Sequence, residues 1–262
     1  RKLNMRPVTG KYMDQYNALL NMQKKGQHIC SLYPHSIPYY RRKGWEIVPD
    51  KITYEIKQHQ MPRPCPAPGD VRRVKIEGPE FKRAYERYAL RTHGAVLRDE
   101  PAWNEYWLWN FVSAHFSMIH LVKGDIYTNE PLAFLPEDAS IKEEISPYYM
   151  ARIVDFPAFI AQYPFKKDSV DRMWLFTLED PMMKCNQGTF LLKISRDGRG
   201  EAVRSNARSA DRISIQTMTT ILMGYKRPDY LAKIERIRAP ESVIDLLEDS
   251  IEQQVPYISD YF

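Results

Sequence analysis

The side chains that most often carry out chemistry are few in this chain, and their spacing argues against several classes of site. Cys30, Cys65 and Cys185 have no paired spacing and no cluster of histidines beside them, which argues against a zinc site or a disulfide framework. The chain shows no G-x-S-x-G string, Walker loop or paired-carboxylate geometry, and the acidic runs Glu143-Glu144 and Glu248-Asp249 are interpreted as solvated faces. The histidines are scattered, and we assign none of them to a metal: His28, His35, His59, His93, His115 and His120.

The composition is typical of a globular protein with a mild basic excess. Of the 262 residues, 44% are hydrophobic and 27% are charged, which leaves enough apolar surface for a core. The net charge of +5 comes from short, scattered basic runs, which we interpret as solvated faces rather than a nucleic-acid surface. No apolar run reaches the roughly 18 residues of a membrane span, and the first residues are polar. We therefore predict a cytoplasmic protein without nucleic-acid or membrane partners.

The middle of the chain predicts a layer of strands and a helix. Apolar side chains alternate over 150–154, and apolar residues then follow at helical spacing over 156–163. Two apolar runs, 173–178 and 189–194, read as strands joined through the turn residues Asn186-Gln187-Gly188. Strand, helix and hairpin in this order indicate an α+β layer, with helices on one face of an antiparallel sheet.

The flanking segments predict further helices and one linker. The pattern over 5–20 predicts a short strand and an amphipathic helix, whose end we place at Gly26. Residues 58–70 hold four prolines and indicate an extended linker. Near the C-terminus, 211–225, 228–237 and 240–254 read as helices, and Asp211 is the expected N-cap of the first.

Ordered motifs in the second half of the chain resemble a known family. The order M-x-R-I-V-D, Tyr-Pro-Phe, L-E-D-P and N-x-G-x-F-x-L is similar to the sterol-carrier-protein-like C-terminal domain of the Eis family of acetyltransferases. The resemblance implies an α+β protein made of two GNAT α/β domains and this third domain. It places the first GNAT domain at 1–60, a proline-rich linker at 61–70, the second GNAT domain at 71–145 and the sterol-carrier-like domain at 146–262.

A second resemblance assigns a role to Tyr40. The segment S-L-Y-P-H-S-I-P-Y-Y-R-R-K-G-W resembles the end of a GNAT acetyl-CoA domain, L-x-P-x-x-x-x-x-Y-x-x-x-G-[YFW]. In the family, the tyrosine four residues before the glycine is the general acid, and here that residue is Tyr40. A neutral phenol can give a proton to a departing coenzyme A thiolate. The alternative is that Tyr40 only packs its ring and bonds a carbonyl, as most buried tyrosines do.

The resemblance also implies a role for Phe262, the last residue printed. In the Eis family, the free carboxylate of a terminal aromatic residue enters the active site of the first GNAT domain. An α-carboxylate has an ordinary pKa of about 3.5 and is a weak base, although desolvation would raise that value. It could equally orient the amine by its charge. A residue added after Phe262 should lower turnover sharply.

The chain departs from the family where the central GNAT strands are expected. Between the adjacent residues Leu20 and Asn21, the chain passes directly from what resembles the first helix of a GNAT domain to what resembles its last helix. The segment that the family has between these helices also holds the R-x-x-G-x-[GAV] loop, whose backbone N–H groups bind the pyrophosphate. We predict that these segments are absent from the chain, and the cofactor-binding residues stay unassigned.

The resemblance implies an N-acetyltransferase that moves an acetyl group from acetyl-CoA to a primary amine. The acceptor is a small molecule, aminoglycoside-like or another amine, and relatives suggest a homo-oligomer such as a hexamer. The alternative is a non-catalytic protein whose sterol-carrier-like domain binds a hydrophobic ligand or mediates assembly.

Overall fold

A computed structural model describes residues 10–57, 78–91, 121–126, 140–254 and 256. These residues fall into two compact units. The first contains residues 10–48 and 148–254, and the second contains the other described residues. The predicted linker at 61–70 lies outside the described residues, so the predicted domain boundaries stay predictions.

The described residues form both strands and helices, with several strands in succession and three helices at the end. The strands are β1 (Ile29–Leu32), β2 (Glu46–Ile47), β3 (Asp50–Lys57), β4 (Leu121–Ile126), β5 (Lys142–Pro147), β6 (Met150–Ile153), β7 (Arg172–Glu179), β8 (Gly188–Ile194), β9 (Gly200–Arg204) and β10 (Arg212–Ser214). The helices are α1 (Gly10–Lys24), α2 (Ile37–Arg41), α3 (Pro79–Ala89), α4 (Phe156–Gln162), α5 (Ile215–Leu222), α6 (Pro228–Lys233) and α7 (Glu241–Ser250). No helix among them is long and apolar enough to cross a membrane.

The first unit contains two sheets. In the smaller sheet, β6 lies between β1 and β2 and is antiparallel to both, with Cys30 opposite Arg152 and Glu46 opposite Ala151. All four residues of β6 are buried, as expected of a central strand. Residues from the N-terminal segment and from the second half of the chain therefore share one sheet.

The larger sheet of this unit has the order β10-β7-β8-β9, with β10 parallel to β7 and the other pairs antiparallel. Trp174, Phe176 and Leu178 alternate onto its buried face beside Phe190 and Leu192. This face belongs to the same apolar cluster as residues of α4, α5, α6 and α7. The predicted strand, helix and hairpin over 150–194 are confirmed.

One predicted helix start was wrong. We expected Asp211 to cap a helix over 211–225, but Arg212–Ser214 form β10, and α5 begins after Ser214. The Ser214 hydroxyl accepts the N–H of Thr217 at 3.2 Å, while the Asp211 carboxylate accepts the indole N–H of Trp174 at 2.9 Å. Pairing with β7 thus outweighs the local capping preference of Asp211. The strand pairing engages the backbone of three residues, whereas an N-cap side chain would accept one backbone N–H.

The second unit contains a three-stranded antiparallel sheet and one helix among its described residues. Strand β3 lies between β4 and β5, with Tyr54 opposite both Gly124 and Glu143. Helix α3 begins after Gly78, with a proline in its first turn, which has no N–H to leave unpaired.

Candidate active site

Tyr40 lies in the last turn of the short helix α2. The N–H groups of Lys43 and Trp45 both donate to the Tyr40 carbonyl, at 2.8 and 3.2 Å. The chain can fold back in this way because Gly44 has a φ of +95°, which favours glycine. We call residues 43–45 the return loop. It fixes the backbone of Tyr40 and brings Trp45 against the tyrosine ring.

The Tyr40 side chain is half-buried among aromatic rings. Its ring meets Tyr39, Trp45 and His35 edge to face, with centroids 5.2, 5.9 and 5.1 Å apart. Its hydroxyl lies 3.2 Å from Nδ1 of His35, within hydrogen-bond reach. The hydroxyl therefore has one defined side-chain partner, and the ring is held by packing on three sides.

Burial raises the pKa of the Tyr40 phenol, and the neighbouring Tyr39 and Cys30 add to the rise. The ordinary value for tyrosine is already about 10, so the phenol is protonated at neutral pH. Burial also raises the pKa of the Cys30 thiol, which keeps that sulfur neutral. The site thus offers a proton that stays in place until a stronger base comes near.

A buried ion pair holds the return loop. Arg152 on β6 and Asp180 after β7 are both fully buried, and Nη2 of Arg152 lies 2.6 Å from each carboxylate oxygen. Nη1 of Arg152 donates to the carbonyl of Lys43, and the guanidinium lies 5.1 Å from the Trp45 ring centroid. Since a buried charge must be paired and hydrogen-bonded, this contact ties the return loop to the centre of the unit.

Asp180 has further hydrogen-bond partners besides Arg152. It accepts the N–H groups of Met182 and Met183 at 2.8 and 3.0 Å and the amide of Asn186 at 2.8 Å. Asn186 in turn accepts the N–H of Phe156 at 2.8 Å. The network therefore joins β6, the turn after β7 and the start of α4 beneath the return loop.

The tight approach of Gly44 to Arg152 gives a testable stability difference. A Cβ at Gly44 would lie 1.5 Å from Nη1 of Arg152, at a φ that side chains avoid. Gly44→Ala should therefore lower the free energy of unfolding by about 2–4 kcal/mol, from backbone strain and overpacking together. Gly26 is the matched control, since its φ is +71° but nothing lies within 4 Å of a Cβ there.

The same measurement on Gly26→Ala should show only the backbone strain, about 1–2 kcal/mol. Urea denaturation followed by tryptophan fluorescence measures both variants. Equal losses for the two would contradict the close packing of Gly44 on Arg152.

Glu46 makes a second buried ion cluster beside the return loop. Arg41 donates to both of its carboxylate oxygens at 2.6–3.1 Å, and Arg236 donates to Oε2 at 2.8 Å. Burial alone would raise the pKa of this carboxyl, but the hydrogen bonds from Arg41, the Ile47 amide and Arg236 together hold it below its usual value. The cluster fixes the end of α2 through Arg41.

The lowered pKa of Glu46 predicts a pH dependence of stability. A carboxyl with a depressed folded pKa stabilises the protein above its unfolded value, about 4.3, and loses that contribution as the pH falls through the folded pKa. The free-energy difference between the wild type and Glu46→Gln should therefore be largest near neutral pH and shrink below about pH 4. Urea denaturation of both proteins at neutral pH and below about pH 4 measures this free-energy difference. A difference that does not change with pH would contradict the lowered pKa of Glu46.

The structure places one of the two predicted catalytic residues. Tyr40 lies where the motif predicts, at the end of a helix and close to a glycine turn. Phe262 lies outside the described residues, so its role stays a prediction. Within the described ranges, no group of three His, Cys, Asp or Glu side chains could hold a metal ion.

One string that fits the pyrophosphate pattern was overlooked in the sequence. Residues 91–96, Arg-Thr-His-Gly-Ala-Val, have the spacing R-x-x-G-x-[GAV]. Arg91 follows the end of α3, and a pyrophosphate loop comes directly before a helix N-terminus, which for this string would lie outside the described residues. Residues 92–96 lie outside the described residues, so we leave the string unassigned, and the described residues identify no coenzyme A site.

Sequence reasoning also missed His35, Arg152 and Asp180. Arg152 and Asp180 stood inside motifs, but no local pattern shows that residues 28 apart form a pair or that Arg152 reaches Lys43. His35 lies five residues before Tyr40, a spacing that carries no signal outside a helix.

The second half of the chain matches a known domain family. Residues 156–259 match the family model of the sterol carrier protein domain. A comparison with curated proteins finds no match.

Solved structures of N-acyltransferases share the fold. A conserved protein of Enterococcus faecalis V583, named as a probable N-acyltransferase, has a TM-score of 0.85 at 21% identity, covering 98% of this chain and 78% of that one. A GCN5-related N-acetyltransferase from Anabaena variabilis has a TM-score of 0.77 at 16% identity, covering 98% and 79%. Eis1 from Mycobacterium abscessus has a TM-score of 0.74 at 14% identity, covering 99% and 80%.

Proposed function

We propose that this protein is an N-acetyltransferase that moves the acetyl group of acetyl-CoA to a primary amine of a small molecule. The observation that carries the proposal is the half-buried Tyr40 hydroxyl, held by the return loop and protonated at neutral pH. The fold shared with solved N-acetyltransferases supports it, as does the match of Tyr40 to the tyrosine of the GNAT motif.

In the proposed reaction the neutral amine attacks the thioester carbonyl, a C–N bond forms and the C–S bond breaks. The departing thiolate takes the proton of Tyr40, and the S–H bond replaces the phenol O–H bond. The ammonium proton passes to a base, for which we propose the carboxylate of Phe262. Mass spectrometry of the C-terminal peptide of the natural protein decides whether Phe262 is its last residue.

One observation favours a second function, binding of a hydrophobic ligand by the sterol-carrier-like domain. Residues 156–259 match that family, but the layer between sheet and helices is filled by side chains such as Phe156, Phe176 and Phe190. A surface groove near α6 and α7 is lined by charged side chains that suit a hydrophobic ligand poorly: Arg227, Asp229, Glu241, Asp245 and Glu248. The transferase is therefore the preferred proposal.

Release of free coenzyme A thiol tests the proposal. The purified protein is mixed with acetyl-CoA and a panel of amines, from aminoglycosides to simple alkylamines, and the thiol is followed with a chromogenic disulfide. We expect amine-dependent release for at least one class. No release above the protein-free rate, together with binding of a fluorescent fatty acid or sterol, would favour the second function instead.

A further inference from the structure

We infer that His35 returns a proton to Tyr40 after each turnover, which makes it the link between the half-buried phenol and solvent. This inference rests on the proposed function. It starts from the contact between Oη of Tyr40 and Nδ1 of His35, 3.2 Å apart, with the two rings edge to face. His35 is exposed, whereas Tyr40 is half-buried.

The need for such a group follows from the surroundings of Tyr40. Giving its proton to the thiolate leaves a phenolate, and the same burial that raises the pKa of the phenol makes that phenolate a strong base. A phenol is also a weaker acid than a thiol, so the transfer is uphill unless the phenolate is reprotonated. A nearby proton source would therefore pull the reaction forward.

Histidine is suited to this step, because its ordinary pKa lies near 6.5 and it can exchange protons with water at neutral pH. In the step we propose, the Nδ1–H bond of the imidazolium breaks and the phenol O–H bond forms again. His35 then regains its proton from solvent or buffer. No other reactant is needed.

The other titratable groups around the pair are engaged differently. Tyr39 has its ring 5.2 Å from that of Tyr40 and 5.5 Å from that of His35, and its hydroxyl accepts from Nζ of Lys43 at 2.6 Å. Lys43 also donates to Gln15 at 2.6 Å. Cys30 stays a neutral thiol because burial raises its pKa. Of the hydrogen bonds among the described side chains, the one at the Tyr40 hydroxyl joins it to Nδ1 of His35, and the tautomer of the imidazole sets which atom donates.

The test is chemical rescue in His35→Ala. In dilute, non-transferring buffer, kcat should fall about 10- to 100-fold, at or below the lower end of the roughly 10²- to 10⁴-fold range for a group that transfers a proton in the transition state, with KM for acetyl-CoA unchanged. Added imidazole should restore kcat in proportion to the concentration of its protonated form. A merely structural loss would not respond in this way.

The controls separate the possible failures. His35→Ala in a Tyr40→Phe background should show no further loss and no rescue, while Tyr39→Phe should keep the buffer independence of the wild type. If the wild type is active and Tyr40→Phe is slow, but the kcat of His35→Ala equals that of the wild type, this inference is overturned and the proposed function is not. Rescue of equal size in the Tyr40→Phe background also overturns it. A wild type that transfers no acetyl group overturns the proposed function and this inference with it.

Discussion

Asp180→Ala should lower the free energy of unfolding by about 3–5 kcal/mol, the usual cost of leaving a buried charge without its partner. Arg152 and Asp180 have no exposed surface, and the Arg152 guanidinium also supports the return loop through the Lys43 carbonyl. The same change leaves the backbone N–H groups of Met182 and Met183 without their carboxylate acceptor. A loss of this size would make Asp180 one of the most sensitive positions of the first unit.

Glu179→Ala is the matched control, one residue earlier in the same chain segment. Glu179 pairs with Arg212 at 3.1 Å, but the two side chains are 50% and 67% exposed. Exposed pairs contribute about 0–1 kcal/mol, so the control should stay within that range. Urea denaturation at neutral pH measures both variants. If Asp180→Ala costs no more than Glu179→Ala, the ion pair does not hold the unit together.

Tyr40→Phe should lower kcat about 10²- to 10⁴-fold, because it removes the proposed proton donor while keeping the ring. The KM for acetyl-CoA should change little, since the interaction is made in the transition state. The edge-to-face contacts of the ring with Tyr39, Trp45 and His35 do not involve the hydroxyl, so stability should also be nearly unchanged. Steady-state kinetics and a denaturation curve on one preparation separate the two effects.

Tyr39→Phe is the matched control, because it removes the hydroxyl of the neighbouring tyrosine and keeps its ring. Its hydroxyl accepts from Lys43 rather than from His35, so its loss should leave kcat within a few-fold of the wild type. A Tyr40→Phe variant as active as Tyr39→Phe would mean that Tyr40 only packs its ring, the alternative left open by the sequence.

Much of the larger sheet could be predicted, because its strands alternate apolar and polar residues and turn residues separate them. The run over 173–178 became β7, and the run over 189–194 became β8 almost residue for residue. The helix at Asp211 failed because capping preference is local, whereas the pairing of Arg212–Ser214 with β7 is not.

The candidate site was predictable only where a motif marked it. Tyr40 stands four residues before Gly44, and this spacing can be recognised in the sequence. The contacts that support Tyr40 cannot be recognised there, because Arg152 reaches the Lys43 carbonyl across 109 residues and this pairing depends on tertiary packing. Local patterns thus marked the proposed proton donor, Tyr40, but not the groups that contact it.

The measurement that tests the central claim most directly is mass spectrometry of the amine after incubation with the protein and acetyl-CoA carrying a deuterated acetyl group. We predict that the wild type transfers the deuterated label to the amine and that Tyr40→Phe does so much more slowly. If the folded wild type leaves acetyl-CoA intact and transfers no label to any amine of the panel, the claim that this protein is an acetyltransferase is contradicted.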